Sequence, residues 1–147
     1  MSVPEFGTKQ AGIDYIDRPG VYAVIENNDR QIAVIETSNG YFLPGGGIDI
    51  GESDVDALNR EVMEETGYQV AIRSKIGVAV EYIDSKGEGK HYQLRSRFYR
   101  VQLRSKVRDG IEKDHRLVWL LLEDAVRLLK RQSQAWIIQR VGEEYGN

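Results

Sequence analysis

The sequence predicts an α/β fold, a mixed β-sheet sandwiched between helical layers, on three observations. Short apolar runs bounded by turn residues come first, at residues 21–25, 31–35 and 41–43. One helical pattern at 53–66 then separates those runs from two longer β-rich stretches at 69–82 and 91–103. Helical patterns return only near the end, at 123–131 and 134–144. Strands with an embedded helix and trailing helices predict an α/β/α sandwich, because each helix must bury its apolar stripe on a sheet face. The 147 residues suffice for one domain with a core and are too few for two ordinary ones. No repeat or low-complexity linker divides residues 1–147, so one domain is expected.

Taken in order, Val21-Tyr22-Ala23-Val24-Ile25 and Gln31-Ile32-Ala33-Val34-Ile35 flank Asn27-Asn28-Asp29, turn chemistry that predicts a β-hairpin. Asn39-Gly40 leads into a third short strand, Tyr41-Phe42-Leu43, stopped by Pro44 and three glycines. In the helix, Ser53 is the predicted N-cap, and Asp54 and Asp56 suit the positive end of its dipole. Val55, Leu58 and Val62 recur at three- and four-residue steps as the predicted buried stripe, and Gly67 supplies the stop. The polar stretch 84–90 joins the two β-rich stretches, 108–114 reads as an exposed loop, and 117–121 as a short apolar strand. Trp136, Ile137 and Val141 make the apolar side of the last helix.

Composition excludes several function classes. An apolar content of 41% and a charged content of 29% are those of a globular protein. The net charge of −3 gives no broad attraction to nucleic acid or anionic membranes, so stable nucleic-acid binding is not expected. With no cysteine, disulfides, thiolate metal sites and a cysteine nucleophile are ruled out. Imidazole comes only from His91 and His115. No apolar run approaches the ~18 residues of a membrane span. Residues 1–10 lack the basic start and apolar stretch of a secretory signal, and a cytoplasmic protein is expected.

The chemistry concentrates in residues 46–68: Gly46, five residues, Glu52, seven residues, then Arg60-Glu61-Val62-Met63-Glu64-Glu65-Thr66-Gly67-Tyr68. On a helix, Glu61 and Glu65 lie one turn apart and Glu64 lies three residues past Glu61, so the three carboxylates project over one face. Like charges so placed repel. A hard divalent cation such as Mg2+ or Mn2+ turns that repulsion into a binding site. A Glu-Glu pair alone would read as a solvated acidic face. Here the acidic face follows a glycine-rich turn able to bring backbone atoms to the same spot. Arg60 is spaced to pair with Glu64 one turn on, or to reach back to Glu52, and either contact holds a carboxylate in place.

These residues resemble, at every fixed position, the signature of the Nudix (MutT-like) hydrolase family, G-x5-E-x7-R-E-U-x-E-E-x-G-U with U a bulky apolar residue. Tyr68 stands for an aliphatic residue at the last position. Leu43-Pro44-Gly45-Gly46-Gly47 resembles the family's lead-in, 22–25 its opening strand, and Trp119 with 122–125 its late strand-to-helix step. The resemblance implies a Nudix-type α/β/α sandwich and Mg2+-dependent (or Mn2+-dependent) hydrolysis of a pyrophosphate linkage in a nucleoside diphosphate joined to another moiety. Nucleoside triphosphates, oxidised ones included, are the default substrate, because the downstream marks of other subfamilies are absent or displaced. It implies Glu61, Glu64 and Glu65 as metal-binding, catalytic carboxylates, Gly46 as a backbone-carbonyl ligand, and Arg60 and Glu52 as supports of the loop against the helix. The same resemblance implies that Glu61 also helps orient the attacking water. Asp49 stands where many relatives carry Glu. The alternative is a non-catalytic nucleotide-binding or regulatory member; such proteins usually lose signature carboxylates, and none is lost here. In some relatives the general base lies in a later loop, which makes Glu112 and Asp114, beside His115, alternative bases. Many relatives dimerise, which leaves a homodimer open.

Outside the signature, Arg18, Lys86, Lys90, Arg95 and Arg97 are candidates to grip phosphates. Alternation puts His91, Gln93, Arg95 and Arg97 on one strand face and Tyr92, Leu94, Ser96 and Phe98 on the other. The polar face is either solvated or lines the substrate cleft. Tyr22, Phe6, Tyr41 and Tyr82 are able to stack on a nucleobase, although each singly fits a core or edge aromatic. Trp119 and Trp136 sit in apolar contexts and read as core. His115 is too isolated to read as a metal ligand.

Overall fold

Alternation along one strand sets the layering. In strand β2 (Ile16–Ile25), Val21, Ala23 and Ile25 enter one buried cluster, while Val24 and Tyr22 enter a second on the opposite face. A strand buried on both faces needs a helical layer on each side. Helix α1 (Asp54–Thr66) covers the first face with Ala57, Leu58 and Val62. Helices α2 (Leu122–Leu128) and α3 (Gln132–Glu143) cover the second with Ala125, Ile137, Ile138 and Val141. The α/β/α sandwich expected from the sequence is therefore present in this computed structural model, which describes residues 2–85 and 87–144.

The remaining strands are β1 (Glu5–Phe6), β3 (Gln31–Thr37), β4 (Gly40–Phe42), β5 (Gly45–Gly47), β6 (Tyr68–Ser85), β7 (Lys90–Lys106) and β8 (Arg116–Leu121). They form a mixed sheet in the order β1-β6-β7-β2-β5 and a separate antiparallel sheet in the order β4-β3-β8. Among the described residues, no helix is long and apolar enough to cross a membrane.

Two expectations need correction. The predicted hairpin does not form: β2 and β3 part into different sheets, linked by a Glu26–Ile32 bridge and a turn in which Asn27 Oδ1 accepts from Asp29 N and Gln31 N, both at 3.0 Å. The reason is that β2 has both edges taken, by β7 in parallel over its whole length and by β5 at Gly20–Tyr22. In α1, Val55 is half exposed rather than buried, because in that first turn Asp54 makes the contacts to β7, through Arg97 and Tyr99. The buried side of the helix runs instead through Leu58 and Val62 to Glu65.

The ends of α1 follow the sequence reading. Ser53 accepts from Asp56 N at 3.1 Å, and Gly67 stops the helix in the left-handed region at φ 78°. Gly67 is also hemmed in, since a Cβ there would lie 1.6 Å from Arg108 O. Helix α3 begins differently. It has no side-chain cap of its own; Glu81, buried on β6, accepts from Gln132 N (3.2 Å), Ser133 N (2.9 Å) and Ser133 Oγ (2.7 Å).

Gly67 and Gly51 both have positive φ, but Gly51 faces open space. Thermal or urea unfolding should therefore separate them. Gly51→Ala is expected to cost only the left-handed strain, about 1 kcal/mol. Gly67→Ala adds the backbone collision and is expected to cost more than about 3 kcal/mol.

Candidate functional site

The site forms where three glycines meet the acidic face of α1. Gly45, Gly46 and Gly47 pair with Tyr22, Val21 and Gly20 of β2 as a strand, which a run without side chains does not announce in sequence. The approach excludes larger residues: a Cβ on Gly45 would lie 2.2 Å from Val21 O, at φ 139°. A Cβ on Gly46 would fall 2.7–2.8 Å from the carboxylate atoms of Glu61. Gly45 N donates to Glu65 Oε1 at 2.9 Å. Backbone and carboxylates thus share one small volume, as the sequence pattern anticipated.

Glu65 lies on the buried side of α1 and is 8% exposed. Burial pushes its carboxyl up to about 8; the Gly45 N–H works against this, and the nearby charges of Glu61, Glu112 and Glu64 add to it. Burial likewise raises Glu61, with Arg60 opposing. His115 Nδ1 stands 3.2 Å from Glu65 Oε2.

Arg60 knits the cluster together, and both contacts left open by its spacing occur. Its Nε and Nη2 each meet a Glu52 oxygen at 2.8 Å, a bidentate pair. Nη2 also reaches Gly47 O at 3.1 Å, and Nη1 reaches Glu61 Oε1 at 3.0 Å and Glu64 Oε2 at 3.5 Å. The Arg60 pairing, followed by the Asp49 N–H, holds Glu52 down at about 2, while the same pairing first of all raises Arg60 well above its ordinary value.

The residues suit a divalent cation in kind: carboxylates, a backbone carbonyl, and a buried acid whose charge wants neutralising. Arg60 Nη1 already places a positive charge between Glu61 and Glu64. Among the described residues, no group of three acidic or imidazole side chains is already gathered closely enough to hold an ion. A cation held here would require side-chain movement within the cluster.

Beside this cluster opens a cavity of about 860 Å³ lined by Gly45, Gly46, Glu65 and His115 at one part, and elsewhere by Arg18, Tyr22, Phe42, Tyr92, Leu94, Arg131 and Gln134. Arg18 and Tyr22, both expected to contact substrate, are therefore at the cavity. Burial drives the Tyr22 hydroxyl up to about 12. Arg95 and Arg97 are not in the lining. They point off the other face of β7, where Arg95 pairs with Asp17 and Arg97 with Asp54. The cleft takes the opposite face of that strand, through Tyr92 and Leu94.

Other candidates also have different work. Phe6 packs on Trp136, Tyr41 donates to Glu36, and Tyr82 donates to Glu5. Lys90 is exposed at the start of β7, and Lys86 lies outside the described residues. The loop carrying Glu112 and Asp114 is pinned to the end of α1 by Val107 N to Gly67 O and Ile111 N to Glu64 O, both 2.8 Å. That anchoring delivers His115 to Glu65. Asp114 accepts from Ser38 Oγ at 2.8 Å and from Ser38 N, which keeps its carboxyl below the usual range and makes it a weak base. Glu112 is exposed.

Sequence reasoning passed over Phe42, Tyr92, Arg131 and Gln134. Gln134 did carry a signal: it lies three and four residues before Ile137 and Ile138, a polar side chain on the buried stripe of α3.

Comparison with known proteins gives a consistent answer. The NUDIX domain family matches residues 17–141. A provisionally named 8-oxo-dGTP diphosphatase of Bacillus subtilis (strain 168) is 41% identical over 61 residues, 40% of this chain and 41% of that protein. An RNA pyrophosphohydrolase of Ruthia magnifica subsp. Calyptogena magnifica is 44% identical over 52 residues, 34% of this chain and 29% of that protein. The matched stretches span less than half of either relative. A NUDIX hydrolase structure from Nitrosomonas europaea superposes with a TM-score of 0.73 at 19% identity, covering 88% of this chain and 90% of that one, a likeness of fold.

The depressed Glu52 carboxyl has a measurable consequence. A group lowered on folding contributes stability above its unfolded value, 4.5, and loses it as pH falls toward about 2. In metal-free buffer, Glu52→Gln is expected to flatten the fall of Tm across that window and to leave the remaining acid limb in place.

Proposed function

The chain belongs to the NUDIX family, and on that premise we propose that it is a divalent-metal-dependent hydrolase of a pyrophosphate linkage in a nucleoside diphosphate joined to another moiety. A nucleoside triphosphate, oxidised or not, is the default substrate. The observation that carries the reading is the junction of the Gly45–Gly47 strand with Glu61 and Glu65, a backbone and carboxylate cluster opening on a cavity of nucleotide size. The activities named for the two relatives, on 8-oxo-dGTP and on RNA, involve the same bond type.

Glu61, Glu64, Glu65 and the Gly46 carbonyl would hold the cation, with Mg2+ the expected ion and Mn2+ an acceptable one. Such a cation neutralises phosphate charge and makes water more acidic. Arg60, clamped on Glu52 and on Gly47 O, keeps β5 and α1 in register and holds Glu61. A carboxylate of the α1 cluster accepts the proton of the attacking water; Asp114, already engaged by Ser38, does not. Arg18, at the cavity and free of a carboxylate partner among the described residues, is placed to meet a phosphate.

Phosphate or pyrophosphate release from a panel of nucleoside triphosphates, dinucleoside polyphosphates and nucleotide sugars, with and without Mg2+, tests the proposal. Glu64→Gln and Glu65→Gln are each expected to lower kcat by about 100-fold or more, since a metal ligand contributes several kcal/mol to the transition state. Mg2+ is expected to raise Tm of the wild type and to do so less in these variants. Full activity in either variant would overturn its assigned role.

A further inference from the structure

Tyr22 occupies a space that two glycines leave open for it. A Cβ on Gly20 would lie 3.0 Å from its Cε2 and 3.1 Å from its hydroxyl oxygen, and a Cβ on Gly45 would lie 2.9 Å from its Cδ1. Phe98 packs on the ring with 6.1 Å between centroids. The backbone is equally constrained, because at Tyr22 strand β2 pairs with β7 on one edge and β5 on the other. This packing accounts for an aromatic ring, and a phenylalanine would satisfy it. It does not account for the hydroxyl.

That hydroxyl has no hydrogen-bond partner among the described residues, and it is not sealed inside the core. Its position narrows what it can meet. The Cβ site on Gly20 that lies 3.1 Å from the hydroxyl is also 3.2 Å from Gly46 O, and Gly46 in turn abuts the Glu61 carboxylate. Gly45, Gly46 and Glu65 line the cavity together with Tyr22. The hydroxyl therefore stands beside the groups that would hold the cation. The carboxylates there already have partners: Glu65 has Gly45 N and His115, and Glu61 has Arg60.

A cation accepts no hydrogen bond, but a diphosphate carried by it brings non-bridging oxygens that accept and never donate. The donor is also of a suitable kind. A lysine or arginine at this position would be drawn to Glu61 and Glu65, as Arg60 is to Glu61, whereas a neutral phenol leaves both carboxylates to the ion. Burial holds the hydroxyl up to about 12, with Arg131 opposing and Glu61, Glu65 and Glu81 adding to the rise, so at neutral pH it is a donor and not a base. We propose, resting on the reading of this site as a pyrophosphate hydrolase, that Tyr22 is a further catalytic residue whose hydroxyl donates to a non-bridging oxygen of the cation-bound diphosphate.

The test compares the whole wild-type chain with Tyr22→Phe, which keeps the ring and removes only the donor. Without ligand, the variant is expected to melt at the wild-type temperature or above, since no protein contact is lost. A lower Tm would assign the hydroxyl to the fold and overturn the proposal. Methylenediphosphonate carries no base and is not hydrolysed; calorimetry in Mg2+ is expected to show it binding the variant about tenfold more weakly or worse, the worth of one hydrogen bond to a charged group. Titration with Mn2+ alone, followed by electron paramagnetic resonance, is expected to give the same affinity in both proteins. An equal loss of Mn2+ affinity would assign the hydroxyl to the water shell of the cation and overturn the proposal. Unchanged affinity for methylenediphosphonate, or no binding by wild type, overturns it too. For the best substrate of the panel, kcat/KM is expected to fall about tenfold or more. Tyr22-dependent binding of methylenediphosphonate without any turnover upholds the contact and sinks the hydrolase reading; turnover undiminished in the variant does the reverse.

Discussion

The same helical stripe that buries Leu58 and Val62 carries Glu65 into the protein, so folding has to take a carboxylate out of water. Desolvating such a group is costly unless it is neutralised or hydrogen-bonded. Much of the local architecture answers that demand. Gly45 brings an N–H to 2.9 Å, which requires β5 to lie close against β2 and therefore to be built of glycine. The 108–114 loop folds back onto the end of α1 and sets His115 on the other carboxylate oxygen. Burial still holds the Glu65 carboxyl above its ordinary range against the Gly45 N–H, with Glu61, Glu112 and Glu64 adding to the rise.

Arg60 solves a related problem at the rim. Three carboxylates on one helix face repel, and its guanidinium meets Glu61 and Glu64 while its other edge grips Glu52 and Gly47 O. The grip on Glu52 is short and bidentate; that on Glu64 is the longest of the set. Bidentate, charge-assisted contacts are the strong ones. The contacts that position the loop are thus firmer than those that quiet the acidic face. A cation displacing the weaker contacts would leave the scaffold intact.

The parts of this protein legible in sequence are those governed by local spacing. Ser53 and Gly67 depend on neighbours within a turn or two, and they cap and stop α1 as their spacing suggested; Arg60 meets Glu61 and Glu64 as well as Glu52, while Glu65 turns to the buried side of the helix. What was illegible depends on partners far along the chain. The Asn27 turn is local, but whether β2 and β3 pair depends on β7 and β5 claiming both edges of β2. Gly45–Gly47 has no side chains to alternate, so its strand is visible only through β2. His91, Gln93, Arg95 and Arg97 were rightly grouped on one face, yet sequence does not say which face looks into the cleft; Asp17 and Asp54 occupy Arg95 and Arg97 on the other side.

The cavity is consequently two-sided in its chemistry. Near β5 and α1 it presents the Glu65 carboxyl, with Asp114 close to His115, groups that attract cations and repel bare phosphate. Away from them it presents Arg18, Arg131 and the Gln134 amide over Tyr92 and Phe42. A nucleotide carries both complements, phosphate oxygens that tolerate the acidic side only with a cation between and a flat base whose edge seeks donors. Each side alone would bind many things. The two lie on one frame, joined by Tyr22 beside Gly45, so the cavity has an acidic end at α1 and a donor-bearing, aromatic end at α3.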